Sequence, residues 1–447
     1  MKAEAPHRPW SPRPWAAPIA AAAAVRLALL VFALARGGSA ALSRPDTHSY
    51  LDPGRNLLLH GAFAVNGLPQ ILRTPGYPLF LALATLVGPI AASLAQILLS
   101  ALSVLLVGRL AFRVFANRRV ARAAAWIFAF EPLSVLYSIL LLPETLFLFL
   151  FLVSLDRLAA FLRTQNLRAL AFAGVSLAAA TFVRPLTCYL PLALAVGLFV
   201  SLIRIPTLRW NAPAIFLLCV LPFLAAWQLR NWVQTGFAGF SAIPTHNLYF
   251  FTAADVAARI QRQPLAEVQN QLGYGTDQQF RERHPEATAW SQSQRLNSMR
   301  AESLRILRAH PGTFLRAYAA GILRTAFNPG AAILLDLANM PIEDDAFARE
   351  RDQGPLPAAL ALAGRQPLQA AVAVTLAIVL MALYIFAACG VLRGAAPRSC
   401  LCLLLGASLY LLAVSGGAAG IARLRLPIMP AVCVLAAAGL PRNRSAP

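Results

Sequence analysis

Charged residues are scarce in this chain of 447 residues, and lysine is almost absent. Charged side chains make up 13% of the sequence, whereas a typical soluble domain carries about 25%. Lys2 is the single lysine, so arginine supplies the other 38 of 39 basic residues. The net charge of +21 is dispersed among short segments between apolar runs and forms no contiguous basic face of the kind that binds nucleic acid. The composition therefore excludes a soluble domain and gives no reason to expect a nucleic-acid partner.

Recognisable metal-binding motifs are also lacking. The Cys400–Cys402 spacing fits no common zinc pattern, and we interpret the cysteines as small apolar helix residues. The six cysteines are Cys188, Cys219, Cys389, Cys400, Cys402 and Cys433. We predict no metal-ligand residues and no obligatory cofactor, with a divalent metal left open.

Long apolar runs are what the sequence has in abundance. Hydrophobic residues make up 58% of the chain, and the mean hydropathy is +0.62. Several runs approach or exceed the about 18 residues that cross a bilayer. We predict an all-α polytopic membrane protein, a bundle of about ten transmembrane helices with helical extracytoplasmic loop regions. The predicted spans are 16–36, 89–115, 119–142, 143–162, 168–184, 186–204, 212–229, 367–392, 398–416 and 426–441.

The arginines predict how these spans are oriented. Arginine-rich short connections mark the cytoplasmic side of a membrane, and every other connection between the predicted spans then faces outward. We predict a multi-pass protein of the cytoplasmic (inner) membrane, with both termini inside and with loop 37–88 and segment 230–366 facing the periplasm or exterior. The basic residues assigned to the inside include Lys2, Arg8, Arg13, Arg163, Arg168, Arg204, Arg209, Arg393, Arg398, Arg442 and Arg444.

Three parts follow from this topology. An amino-terminal transmembrane module covers 1–230, an extracytoplasmic or interfacial region covers 231–366, and carboxyl-terminal transmembrane helices cover 367–447. The segment 230–366 has 14 arginines and 12 acids, and a long segment of this kind translocates largely regardless of charge. We predict that it is mostly helical, with a helix over 292–310 and another over 310–327 that lies at the outer interface.

Carboxylates are rare outside that segment. Only six of the 18 acids lie elsewhere, and Asp46, Asp52, Glu131 and Glu144 are placed in the first outer loop or in spans. A carboxylate at or within the membrane is a functional candidate because burying its charge is expensive. Each also has a structural interpretation: a helix cap for Asp46, a turn or cap at Pro53-Gly54 for Asp52, a pair with an arginine for Glu131, and a helix-dipole contact for Glu144.

Arginines converge on the same predicted outer face. Their planar forks bind phosphate through paired hydrogen bonds, although a single arginine at an interface can also be a snorkelling anchor. Together with the carboxylates, the set indicates an anionic headgroup and acid–base chemistry. The arginines at outer ends of spans are Arg73, Arg184, Arg230, Arg423 and Arg425.

An ordered set of motifs resembles the GT-C glycosyltransferases, the group that includes dolichyl-phosphate-mannose protein mannosyltransferases and the aminoarabinose transferases of lipid A. The motifs cover most of the chain in order. They are "PDTHSYLDPGRNLLLHGAF" (45–63), "LRTPGYPLFLAL" (72–83), "EPLSVLYSILLLPETLFLFLFL" (131–152), "TFVRPLTCYLP" (181–191), "RNWVQTGFAGFSAIPTHNLYF" (230–250) and "ARLRLPIMPAVCVLAAAGL" (422–440). Leu424 stands where a Tyr is usual, and the Glu of the aminoarabinose-transferase motif is missing before Arg73, which argues against that specific activity.

The resemblance implies a hexosyl- or pentosyltransferase that uses a polyprenyl-phosphate sugar donor. Its acceptor would be a lipid, glycan or protein in or at the membrane, beside membrane lipid. Asp46 would be the general base, and Glu144 would orient Arg73 or a bound metal. Arg73, Arg423 and Arg425, supported by Arg184 and Arg230, would hold the phosphate. Tyr77 would line the sugar pocket, and the further substrate contacts would come from His48, Tyr50 and Asp52, with Asn231, His246, Asn247 and Tyr249 near the start of the outer segment.

Three other functions remain open at this stage. A transporter or flippase for polyprenyl lipid or solute would place charges along a path through the membrane, and Glu131 beside Pro132 is the feature that favours it. An O-antigen-ligase-like enzyme would also carry a large outer loop. A scaffold subunit would keep the fold without the chemistry.

Overall fold

The protein is a helical bundle in which long apolar helices surround one large core. The structure, a computed structural model, describes residues 15–342, 355–394, 396–417 and 420–441. The first helices are α1 (Ala16–Gly37), α2 (Thr47–His60), α3 (Gly76–Ala84), α4 (Pro89–Phe115), α5 (Arg118–Ala129), α6 (Pro132–Tyr137), α7 (Glu144–Thr164), α8 (Leu167–Val183), α9 (Leu190–Ser201), α10 (Asn211–Leu218) and α11 (Leu221–Thr235). The all-α polytopic prediction is confirmed, and the basic tail residues Lys2, Arg8, Arg13, Arg442 and Arg444 lie outside the described residues.

The remaining helices belong to the carboxyl-terminal part and to segment 230–366, which is predicted to lie outside the membrane and which we call the outer segment. They are α12 (Ile243–Asn247), α13 (Ala254–Gln261), α14 (Leu265–Gln271), α15 (Asp277–Arg283), α16 (Gln292–Ala309), α17 (Pro311–Phe327), α18 (Ala331–Leu337), α19 (Pro355–Arg365), α20 (Pro367–Leu392), α21 (Arg398–Val414) and α22 (Met429–Gly439). A π-helix covers Leu248–Ala253, and 3₁₀ turns cover Gly38–Leu42, Pro185–Thr187, Pro285–Ala289 and Ala422–Ile428.

Within the described residues, six helical stretches are long and apolar enough to cross a membrane by length and composition: Ala16–Leu42, Pro89–Phe115, Glu144–Thr164, Asn211–Thr235, Pro367–Leu392 and Ala422–Gly439. Three shorter apolar helices, α8, α9 and α21, coincide with further predicted spans. The predicted span 119–142 is wrong as one continuous helix. Glu131 and Pro132 interrupt it, because Pro132 starts α6 and the Glu131 carboxylate accepts the backbone N–H groups of Leu133 and Ser134.

The loop 37–88, which is predicted to face outward, folds into two helices joined by a hairpin. The interpretation of Asp52 as a turn residue is wrong, because α2 continues through Asp52, Pro53 and Gly54 to His60. Two short antiparallel strands, Ala64–Val65 and Leu68–Pro69, follow it. Their two-residue turn has left-handed φ values at Asn66 (51°) and Gly67 (76°), the geometry that suits a tight hairpin.

The outer segment has cores of its own. The predicted helix over 292–310 is confirmed as α16, which begins with a capping box between Ser291 and Gln294. Tyr249, Phe250, Phe280 and neighbouring residues form one small apolar cluster of this segment. The helix predicted over 310–327 is α17, and its position at the interface remains a prediction.

Candidate active site

Asp46 occupies the residue before α2 but does not cap it. No side-chain hydrogen bond joins this carboxylate to the first turn of the helix. One oxygen instead accepts a hydrogen bond from Arg73 Nη2 at 3.0 Å, and the other accepts one from Arg423 Nη1 at 2.7 Å. The side chain is 41% exposed. The purely structural interpretation of Asp46 as a helix cap is therefore wrong.

Arg73 is fixed by contacts along one side of α2. Its Nε donates to Ser49 Oγ at 3.0 Å, and its Nη1 donates to the Tyr50 hydroxyl at 2.9 Å. The guanidinium carbon also lies 4.2 Å from the centre of the Tyr50 ring, a cation–π distance. These contacts explain why Ser49 and Tyr50 follow Asp46 at helical spacing: one helix turn presents three groups to the same arginine.

Glu144 lies at the first position of α7 and is fully buried. Its Oε1 accepts a hydrogen bond from Arg423 Nε and lies 3.1 Å from Arg184 Nη1. Glu144 thus orients Arg423 and Arg184, and the expectation that it orients Arg73 is wrong. We call the series Arg73–Asp46–Arg423–Glu144–Arg184 the charge chain; three guanidinium groups and two carboxylates give it a formal charge of +1.

The charge chain sets the protonation of Asp46. Partial burial alone would raise the pKa of this carboxyl, but the adjacent Arg423 and Arg73 outweigh that effect and lower the pKa below 3.8. Asp46 is therefore ionised at neutral pH while the arginines remain its partners.

Two predicted phosphate ligands make other contacts. Arg425 is buried, and its Nη1 donates to the carbonyl oxygens at the carboxyl end of α17, those of Thr325, Ala326 and Asn328. Arg230 donates to the carbonyl oxygens of Gln70 and Phe63 at 2.8 Å each and so holds the hairpin. The structure gives both arginines a packing role and does not bring them into the charge chain.

Tyr77 lies under the charge chain and not at its surface. Its side chain is fully buried, its hydroxyl donates to Gln96 Oε1 at 2.9 Å, and its ring meets Tyr50 edge-on at 5.2 Å. Tyr77 therefore packs in the core against Tyr50, a position that differs from the expected lining of a sugar pocket. His48 and Asp52 are exposed on α2.

The polar residues at the start of the outer segment separate into two groups. The Asn231 amide donates to the carbonyl oxygens of Gly239 and Phe240, and the Tyr249 hydroxyl donates to Glu302. These two side chains therefore stabilise the segment itself. Asn247 is exposed, and His246 lies close enough to Asp46 and Arg73 for their charges to affect it.

A buried arginine in the first span was missed by the sequence reasoning. Arg26 is fully buried and donates to Ser100 Oγ at 2.7 Å, to Ser134 Oγ at 3.0 Å and to the carbonyl oxygen of Ala129 at 2.8 Å. An arginine inside an apolar run is itself a signal of a specific partner. Ala129 and Ser134 lie beside the break at Glu131, and Ser100 lies in α4, so Arg26 links α1 to α4 and to the residues around the break.

A dedicated metal site is not formed by these residues. Within the described ranges, no three His, Cys, Asp or Glu side chains lie together in a way that could hold a metal ion. Asp46 and Glu144 both direct oxygens at guanidinium groups, which are the wrong neighbours for a cation. In this structure, Asp46 and Glu144 are therefore ion-pair partners of arginines.

Comparison with known proteins supports the predicted resemblance. Residues 73–227 match the family model described as dolichyl-phosphate-mannose-protein mannosyltransferase, so the resemblance to the GT-C glycosyltransferases is confirmed over this segment. The matched segment contains Arg73, Glu144 and Arg184, whereas Asp46 and Arg423 lie outside it. Among curated proteins, no match was found.

Two solved structures match most of this chain at low sequence identity. The oligosaccharyltransferase AglB from Archaeoglobus fulgidus, in complex with an inhibitory peptide and a dolichol-phosphate, is 13% identical with a TM-score of 0.44, covering 93% of this chain and 49% of its own. ArnT from Cupriavidus metallidurans bound to undecaprenyl phosphate is 14% identical with a TM-score of 0.38, covering 95% and 77%. The chain spans about half the length of the AglB structure.

Proposed function

We propose that this chain is an integral-membrane glycosyltransferase that moves a sugar from a polyprenyl-phosphate carrier to a lipid, glycan or protein acceptor. One observation carries the proposal: a partly exposed carboxylate, Asp46, lies between two arginines, Arg73 and Arg423, that come from distant parts of the sequence. The family match over residues 73–227 supports the same class of reaction. The arginine distribution supports an inner-membrane protein whose site faces the periplasm or exterior.

The geometry supports a displacement at the anomeric carbon with Asp46 as general base. The acceptor hydroxyl forms a bond to the anomeric carbon, and the bond from that carbon to the phosphate oxygen breaks. The phosphate leaves with the electron pair, and the hydroxyl proton passes to the Asp46 carboxylate. A positioned base contributes about 10²–10⁴-fold to such a transfer.

Arg73 and Arg423 are the groups that would meet the leaving phosphate. Preorganised cations stabilise charge that develops on a leaving group. The charge chain has a formal charge of +1, so one positive charge is available to pair with an anion. A phosphate that binds these arginines competes with Asp46 for their N–H groups. Carrier binding would therefore raise the pKa of Asp46 and make it a stronger base only when the donor is present.

The test is sugar transfer by the purified full chain reconstituted in lipid nanodiscs. A panel of radiolabelled undecaprenyl-phosphate sugars is supplied with extracted envelope lipids, glycans and proteins as acceptors. We expect transfer by the wild type, a loss of at least about 100-fold for Asp46→Asn, and unchanged transfer for Glu267→Gln, which makes the same chemical change at an exposed position of α14. Wild-type turnover by Asp46→Asn would refute the assignment of the base.

The transporter alternative makes a different prediction. The feature that favoured it, Glu131, accepts backbone N–H groups as the cap of α6 and so has a structural task. Movement of a fluorescent polyprenyl phosphate across a liposome membrane by this protein, without any sugar transfer, would favour the transporter and contradict our proposal.

A further inference from the structure

Four aromatic side chains of the outer segment form a contiguous group, which we call the aromatic cluster: His246, Phe250, Phe251 and Tyr274. The His246 ring lies 4.7 Å from Phe250 and 6.0 Å from Tyr274. Tyr274 in turn lies 5.4 Å from Phe250 and 5.3 Å from Phe251. Tyr274 therefore contacts the other three rings, yet the residue remains 41% exposed.

Two hydrogen bonds to backbone carbonyl groups hold the segment that leads to the aromatic cluster beside the charge chain. Ser241 Oγ donates to the Leu72 carbonyl oxygen at 2.7 Å, and the Ala242 N–H donates to the Ile71 carbonyl oxygen at 2.9 Å. These carbonyl groups immediately precede Arg73, and α12 carries the chain from Ala242 to His246. The start of the outer segment is therefore fastened to the residues that position Arg73.

The π-helix Leu248–Ala253 contributes two members of the cluster. Phe250 and Phe251 are consecutive residues of this element, and both contact the Tyr274 ring. π-helical turns are rare and are found frequently at functional sites. Tyr274 itself lies between Gly273 (φ 88°) and Gly275 (φ 94°), left-handed conformations that glycine adopts without strain.

The aromatic cluster is uncharged under physiological conditions. Burial and the nearby Arg73 and Arg295, opposed by Asp46, lower the pKa of His246 to about 4. Burial and the charge of Asp46, opposed by Arg73, raise the pKa of Tyr274. Both side chains are therefore neutral at pH 7, beside the ionised carboxylate of Asp46.

We propose that the aromatic cluster is the acceptor subsite and that it takes the ring of an uncharged carbohydrate, with the exposed Tyr274 ring as the platform. This inference rests on the proposed function. The face of an aromatic ring is negative and attracts the weakly positive C–H groups of a sugar ring. A neutral sugar can contact such a ring without losing the hydration of a charge. In the proposed arrangement, a hydroxyl of that sugar is the group that gives its proton to Asp46.

A charged acceptor fits these side chains less well. A phosphorylated or carboxylated group would be drawn to Arg73 and Arg423, where it would compete with the donor phosphate. Because the site is divided into a cationic part and a neutral aromatic part, the donor and the acceptor can bind at the same time. A glycan or glycolipid with an exposed neutral sugar is thus favoured over an acidic acceptor.

The test is binding of simple glycosides to the full chain in nanodiscs, measured by saturation-transfer NMR. The probes are methyl glycosides of neutral hexoses, the corresponding methyl uronides, and a short serine-containing peptide, each with and without undecaprenyl phosphate. We expect ring protons of neutral glycosides to be saturated, and we expect affinity to fall about fivefold or more in Tyr274→Ala, the loss of one aromatic contact. Tyr274→Phe keeps the ring and should bind nearly as the wild type does.

Tyr189→Ala is the matched control, because Tyr189 is 70% exposed at the start of α9. The affinity of the wild type and all three variants for undecaprenyl phosphate is measured in parallel. Equal glycoside binding by Tyr274→Ala and wild type would overturn the inference, as would Tyr274-dependent binding of the peptide or the uronide alone. If undecaprenyl phosphate binds but no glycoside does, the inference fails and the proposed function stands. If undecaprenyl phosphate does not bind to the wild type, the proposed function fails first.

Discussion

Glu144 provides the sharpest test of the charge chain, because one substitution separates its structural and electrostatic effects. Glu144→Gln keeps the size of the side chain and removes the negative charge between Arg423 and Arg184. The variant should have a lower free energy of unfolding than the wild type, and the carrier lipid should stabilise it more than it stabilises the wild type. Both effects follow from leaving two arginines without their shared carboxylate.

The magnitude comes from the burial of the three groups. Removing one partner of a buried ion pair costs about 3–5 kcal/mol. Arg423 keeps Asp46 as a partner, and the two arginines are 16% and 13% exposed, so we expect a loss of free energy of unfolding of about 3 kcal/mol, the low end of that range. An anionic phosphate would restore the missing charge and recover part of this loss.

Thermal unfolding in nanodiscs, followed by intrinsic fluorescence with and without undecaprenyl phosphate, measures both effects. A tenfold gain in lipid affinity adds about 1.4 kcal/mol of stabilisation at saturation, so the lipid should stabilise Glu144→Gln more than the wild type. Glu131→Gln is the control, since it removes an equally buried carboxylate that caps α6 and should show no additional response to the lipid. Equal lipid stabilisation of the wild type and Glu144→Gln would refute the charge-balance argument.

Two further predictions concern the position and protonation of Asp46. Arg73→Ala should weaken undecaprenyl phosphate binding about tenfold, the cost of a charged hydrogen bond. It should also raise the pKa of Asp46, because one of the two arginines that lower this pKa is gone. The acidic limb of the pH profile of kcat/KM then moves to higher pH, whereas Arg230→Ala leaves it in place. Gly54→Ala should lower the free energy of unfolding by about 1–3 kcal/mol and reduce transfer, because a Cβ at Gly54 would lie 2.2 Å from the Pro78 carbonyl oxygen and force α2 away from α3. Gly364→Ala, where a Cβ meets nothing within 4 Å, is the control for thermal stability, and an unchanged melting curve for Gly54→Ala would contradict this packing.

Much of the fold could be predicted from hydrophobicity alone. Apolar runs long enough to cross a bilayer must satisfy their own backbone hydrogen bonds, which permits helices and little else. The broken helix around Glu131 and the continuous helix through Pro53 were mispredicted for a shared reason. Whether a proline interrupts a helix or is tolerated within it depends on whether other groups satisfy the backbone carbonyl that loses its hydrogen bond to the proline. Those groups can come from distant parts of the chain.

The arginines illustrate what the sequence could not decide. Arg423 and Arg425 are two residues apart and looked equivalent as phosphate ligands. They lie in the 3₁₀ turn Ala422–Ile428, where three residues complete a turn, so their side chains leave the turn in different directions. Arg423 meets Asp46 and Glu144, whereas Arg425 meets the end of α17.

By itself, the sequence determined that this is a helical membrane protein with a rare carboxylate shortly after its first long apolar run. Membrane insertion is read from local hydrophobicity, and the acids outside segment 230–366 are few enough to count. Only the tertiary structure decided which cations meet that carboxylate. Asp46 and Arg423 are separated by 377 positions in the chain, and the contact between them depends on how α2, α7 and the 3₁₀ turn pack together. Local sequence patterns do not predict such a contact, because it depends on many packing interactions along the whole bundle.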